Sequence, residues 1–174
     1  NAEPLYTAAP AVREEGESAP EVSLVPAAST RLTAGDASHA GVVFSADGTE
    51  VFAALDEIED RHRDLRTRVI AIAVDGGATR EVLGVEAGLS ANAIAVADDG
   101  TVAILAADSG PSGIDFIAPG VALYLLGDGA PQRVTAPELD LGEVGSHITF
   151  IGDDVLVQDR TRGRLRLLRV TRCG

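Results

Sequence analysis

Two Ser-His pairs are the residues here best equipped for chemistry. Ser38-His39 and Ser146-His147 each stand just before an apolar run, and Ser90-Ala91-Asn92 occupies the matching place between them. Polar groups at the entry to a strand have two uses. The plainer one is to satisfy backbone groups at the turn. The other is to gather around a ligand, which makes Ser38, His39, Asn92, Ser146 and His147 the candidate ligand-binding residues. His62 lies in an almost wholly charged segment and reads as solvated. The sequence holds no HExxH, CxxC, GxSxG or P-loop, and the lone Cys173 cannot build a thiolate metal site. Isolated Ser-His pairs without a nucleophile's context do not make a triad. No catalytic or metal-ligating residue is assigned, and the chain reads as a binding protein rather than an enzyme.

Two charged features remain. Acidic turns at Asp98-Asp99, Asp128 and Asp153-Asp154 offer the oxygens that Ca²⁺ takes, but without EF-hand spacing, and Asp is expected at hairpin turns in any case. No cofactor is expected, with Ca²⁺ the one alternative left open. The second feature is at the C-terminal end, where 160–174 hold six of the 14 basic residues, all Arg, and none of the 27 acids. Arg164-Leu165-Arg166-Leu167 alternates, so a strand there is expected to put Leu on a packed face and Arg on the other. Arg162, Arg164 and Arg166 are the candidate partner-binding residues, a basic edge for an acidic protein. The alternative is an edge strand whose Arg residues pair with the acidic body and discourage edge-to-edge aggregation.

The net charge of -13 argues against a nucleic-acid binder, because phosphates would be repelled. No apolar run approaches the roughly 18 residues of a membrane-spanning helix. At 174 residues and 45% hydrophobic content, the chain has enough apolar residues for the core of one domain.

The elements that must position these residues are short strands. Val42–Phe44, Val51–Ala54, Val69–Val74, Ala93–Val96, Val102–Leu105, Val121–Leu126, Ile148–Ile151 and Val155–Val157 have strand length and β-branched character. Asp-Gly and Gly-Asp turns separate most of them, as in serial antiparallel hairpins. The charged stretch Asp56–Arg66 breaks the pattern; with only Ile58 and Leu65 apolar, it reads as a loop rather than a packed helix.

An internal repeat organises the strands. Phe44-Ser45-Ala46-Asp47-Gly48-Thr49-Glu50-Val51 recurs 52 positions on as Val96-Ala97-Asp98-Asp99-Gly100-Thr101-Val102, and again, degraded, at Phe150–Val155. Arg31-Leu32-Thr33, Arg80–Leu83 and Arg133-Val134-Thr135 recur out of phase with a similar spacing. Each period holds four strands, a to d, which describes a propeller blade. The run Arg31–Ala54 resembles the repeat of TolB-like β-propellers, in which a Leu-Thr pair closing one blade leads to a Phe-Ser-x-Asp-Gly turn in the next. The resemblance spans roughly residues 22–170 and implies an extracytoplasmic setting, either secreted or as a cell-envelope lipoprotein, with protein–protein contacts. It also implies that the a strands are innermost, placing the Ser-His pairs near the mouth of a central channel.

The expected fold class is therefore all-β, built from antiparallel four-stranded blade repeats as an incomplete β-propeller or propeller half, with a β-sandwich or curved sheet as the alternative. Residues 1–20 read as a flexible, acidic and Pro-rich lead-in, and 21–174 as the repeat domain. Asn1 is no start residue, so a leader before Glu3 is expected. Residues 22–33 supply strands c and d of one blade, 42–83 and 93–135 two whole blades, and 147–170 strands a to c of another. That is about three blades, whereas closed rings have about four to eight. Three completions stay open: a longer chain, a homodimer forming a six-blade ring in which residues 29–33 of one copy complete the last sheet of the other, or a non-propeller β structure. The alternative function is the regulatory or gating propeller of a hydrolase or peptidase.

Overall fold

The computed structural model describes residues 31–33, 37–57, 64–114, 120–142 and 145–172. Among them are eleven strands: β1 (Ala37–Phe44), β2 (Glu50–Glu57), β3 (Arg68–Ala73), β4 (Thr79–Leu83), β5 (Leu89–Val96), β6 (Val102–Asp108), β7 (Val121–Leu126), β8 (Gln132–Arg133), β9 (Thr149–Ile151), β10 (Asp154–Asp159) and β11 (Arg166–Thr171). They form three antiparallel sheets, each a meander in chain order: β1-β2-β3-β4, β5-β6-β7-β8 and β9-β10-β11. The all-β fold and the antiparallel four-stranded repeats are as the sequence predicts. No helix among the described residues is long and apolar enough to cross a membrane.

The repeated Asp-Gly-Thr signature is a turn device. In the first sheet the Asp47 carboxylate accepts the Thr49 N–H at 3.0 Å, the Thr49 hydroxyl at 2.8 Å and the Ser45 hydroxyl at 2.7 Å. The intervening Gly48 takes φ 71°. Asp99 repeats the arrangement, accepting the Thr101 N–H at 2.9 Å around Gly100 at φ 84°. An Asp that bonds the backbone two residues on, beside a glycine in the left-handed region, closes a tight hairpin without strain.

Alternation of side chains makes the second sheet the centre of the stack. One of its faces packs Ile94, Ile104, Ala106 and Tyr124 against Phe52, Ala54, Val69 and Leu83 of the first sheet. The other face packs Ala103, Leu105 and Leu123 against Val155 and Val157 of the third. Ile104, Leu105 and Leu123 are fully buried. Burying such a side chain contributes roughly 1.5–3 kcal/mol, so the doubly covered middle sheet is the thermodynamic core.

The third sheet corrects one expectation. Leu165 and Leu167 do not face a packed surface; they are 64% and 68% exposed. Pairing with β10 sets Leu168 opposite Val157 and Val170 opposite Val155, so these two residues pack inward. Leu167, opposite Gln158, then points outward. Arg166 instead reaches a buried acid, described below. The first sheet likewise exposes Val42 (60%) and Phe44 (65%) on β1.

Several expectations fall outside the described residues: the lead-in 1–20, most of the anticipated strands in 22–33, His62 and Cys173. Arg31–Thr33 are described and form no strand. In the charged stretch, β2 continues to Glu57 and Asp64–Arg66 form a loop.

Candidate functional site

β1, β5 and the segment that enters β9 frame one cleft. β5 packs against β1 on one side and against β9 on the other. Both longer strands are bulged at matching places: the β1/β2 register shifts between Ala40 and Val43, and the β5/β6 register between Ala91 and Ala93, bypassing Asn92. A bulge bends a strand and re-aims a side chain. Gly41, at φ 61°, lets β1 come so close to β5 that a Cβ there would stand 3.3 Å from Ile94 Cγ1.

The resulting open cleft, of about 790 Å³, is lined by apolar strand residues including Val42, Phe44 and Ile94, together with Asn92, Ser146 and His147. Asn92 and His147 are exposed. The Ser146 hydroxyl oxygen is buried and has no hydrogen-bond partner among the described residues. The structure thus brings three of the five candidate residues to one place. Ser38 and His39 are exposed on β1, opposite Asp56 and Leu55, and do not line the cleft. Among the described residues, no carboxylate is in the lining. An apolar floor with an amide, an imidazole and a hydroxyl is equipped to recognise a ligand by contact and hydrogen bonding.

A second cleft, of about 580 Å³, is lined by Glu138, Leu139, Thr161, Arg162, Arg164 and Arg166. All three arginines singled out in the sequence meet there, joined by a connector from the second sheet that the sequence did not reveal. Fixed ion pairs brace its walls. Asp159, whose side chain is fully buried, accepts Arg166 Nε at 3.0 Å and Nη2 at 2.5 Å, the Thr161 N–H at 3.0 Å, and the Thr161 hydroxyl. Burial pushes the Asp159 carboxyl up, but the Thr161 hydroxyl and the Arg166 guanidinium outweigh it and hold the group at about 2. Asp140 accepts Arg160 Nε at 2.8 Å and the N–H groups of Val121 and Gly142; these bonds overcome its burial and lower its pKa.

Two of the acidic turns considered for Ca²⁺ have other engagements. Asp99 and Asp153 both accept the Arg172 guanidinium. Among the described residues, no three His, Cys, Asp or Glu side chains are grouped to hold a metal ion.

No family model matches the chain, and no curated protein matches it. Among solved structures it is similar to a puromycin-hydrolyzing peptidase of Mycobacterium tuberculosis, with a TM-score of 0.59 and 22% sequence identity. The match covers 80% of this chain and 22% of the peptidase, so the chain spans about a fifth of that protein's length. An identity this low supports likeness of fold.

Proposed function

We propose that the three sheets are consecutive blades of a TolB-like β-propeller that serves as a non-enzymatic binding module outside the cytoplasm, taking a protein partner or ligand at the cleft between the inner strands. The observation that carries this reading is the convergence of β1, β5 and β9, which sets Asn92, Ser146 and His147 around one apolar floor. The repeated Asp-Gly-Thr turns support the family resemblance. A fold hosts many functions, so the reading rests on the cleft.

A photo-crosslinking side chain tests it. Placed at Asn92 or His147 in the producing cell, it captures the same partner from both positions, and one at the exposed turn residue Asp128 captures none. Equal capture from all three positions, or none from the cleft, removes the reading.

The likeness to a peptidase favours a second reading, in which the blades belong to the gating propeller of a hydrolase. Puromycin added to ¹⁵N-labelled protein then shifts the amide signals of Asn92, Ile94 and His147. Unchanged signals at saturating puromycin count against it. Under either reading the ring needs more blades. A second copy of the chain would supply them, and light scattering at twice the 17.9 kDa chain mass is the expected result for that completion. A strict monomer rejects the second copy.

A further inference from the structure

The Arg cleft is distinct from the cleft between the inner strands, and three independent features mark it. The first is selective pairing. Arg66, Arg80, Arg160, Arg166, Arg169 and Arg172 each form an ion pair with an Asp or Glu. The side chains of Arg162 and Arg164, between two of these, have no partner among the described residues. In a chain of net charge -13, carboxylates are plentiful, so two adjacent unneutralised guanidinium groups are a local exception.

The second feature is backbone conformation. Arg162 has φ 57° and ψ 35°, and is the one non-glycine residue with positive φ among the described residues. It is followed by Gly163 at φ 69°, and the Arg164 N–H donates to the Thr161 carbonyl at 3.4 Å. Two successive positive φ values inside such a bond make a type I′ hairpin turn, whose first central position favours Asn, Asp or Gly. Arg is strained there, and strain of this kind gathers at ligand clamps.

The third feature is the lining itself. Glu138 and Leu139 share the cleft with the arginines. A densely charged polyanion would meet Glu138 and the acidic body, whereas isolated carboxylates separated by apolar residues suit two guanidinium forks beside a leucine.

We propose that the cleft between the 136–142 connector and the β10–β11 turn binds a short acidic peptide segment, with Arg162 and Arg164 taking its carboxylates and Leu139 an intervening apolar side chain. Such a segment gains two charge-assisted contacts at the cost of leaving the Arg162 backbone strained. The site's function and the strain are thereby linked.

The test uses the full chain and a blocked peptide, acetyl-Ala-Glu-Ala-Glu-Ala-amide, followed by calorimetry, with the Gln-for-Glu peptide as control. The Glu peptide is expected to bind saturably and more weakly as salt rises, while the Gln peptide does not bind. Arg162→Asn combined with Arg164→Gln weakens binding by about tenfold or more. Arg169→Gln, on a different part of β11, leaves it within about twofold. Arg162→Asn alone relieves the turn, so its urea midpoint rises while its affinity falls, which separates loss of binding from loss of fold. The proposal is overturned if the wild-type chain does not bind the Glu peptide, if the double variant binds it equally well, or if inorganic phosphate at matched ionic strength displaces it completely. The inner-strand cleft contains none of these residues, so its reading stands or falls separately.

Discussion

Arg172 is bonded to Asp99 across 73 positions of sequence: Nη1 donates to Asp99 Oδ2 at 2.8 Å. The same guanidinium donates to Thr101 Oγ1 at 3.2 Å and the Gly152 carbonyl at 3.1 Å, and lies 5.4 Å from the centre of the Phe150 ring. Its side chain is only 13% exposed. One arginine thus ties the last strand of the third sheet to the Asp-Gly-Thr turn of the second. The first sheet has a related brace, with Arg80 over Phe52 and paired to Glu50 at 2.7 Å.

Replacing that tie should loosen the third sheet. Arg172→Ala is expected to destabilise the chain by about 1–2 kcal/mol, from lost hydrogen bonds and the ring contact. Arg172→Lys recovers only part of this, because an ammonium cannot reproduce the planar fork. Urea unfolding of both variants measures the difference; a Lys variant as stable as the parent contradicts the geometry.

The approach of β1 to β5 depends on Gly41. Gly41→Ala forces a side chain into the left-handed region, at roughly 1–2 kcal/mol, and brings its Cβ against Ile94. The thermal midpoint should fall accordingly, and the amide signals of Asn92 and Ile94 should move. Gly48→Ala bears the same backbone cost in open space, so the excess at Gly41 reports the contact.

A buried hydroxyl stands in for strand pairing beside β8. The Thr135 hydroxyl accepts the Leu123 N–H at 3.1 Å in the core. Thr135→Val keeps the shape and strands that N–H, at about 1–3 kcal/mol. Hydrogen exchange at Leu123 should accelerate more than at Ile104 in the same sheet.

Acid should unfold the chain through its turn and brace carboxylates. The Thr49 N–H, with the Ser45 and Thr49 hydroxyls, holds Asp47 at about 2, below the ordinary 3.8. Thr101 and Arg172 do the same for Asp99, and Asp159 also lies at about 2. Because the folded pKa values are depressed, the unfolded chain takes up protons first. The stability these groups contribute is complete above about pH 4 and is lost as pH falls through about 2. Urea midpoints followed over that interval should decline, and less steeply in Asp159→Asn.

The exposed Leu167 of β11 tests whether a second copy covers the third sheet. Leu167→Glu changes the stability of an isolated chain by about 0.5 kcal/mol or less, whereas Ile104→Ala in the doubly covered sheet costs about 2–5 kcal/mol. If a second copy covers the Leu167 face, Leu167→Glu also abolishes the heavier species in light scattering. A dimer that persists in this variant places the contact elsewhere.

Local chemistry was enough to determine most strands among the described residues, the turns and the repeat, although Arg31–Thr33, expected as strand, form none. Runs such as Val69–Ala73 favour extended chain, and Asp47-Gly48-Thr49 closes a hairpin with groups two residues apart, so no distant contact is required. Which face each strand buries was a tertiary decision. The alternation Arg164–Leu167 is compatible with either face inward, and only the register with β10, which sets Leu168 against Val157, turned Leu167 outward. The same holds for the sites. Ser146 and His147 lie 54 and 55 positions after Asn92 in sequence and meet it because the segment entering β9 packs beside the bulged β5, while His39 occupies a similar sequence context and stays outside the cleft. The partners that neutralise Arg160 and Arg166 are Asp140 and Asp159, set in place by sheet packing and by the β10–β11 hairpin, while Arg162 and Arg164 have no partner among the described residues. Charge is written in the sequence, but its compensation depends on distances that only the folded chain sets.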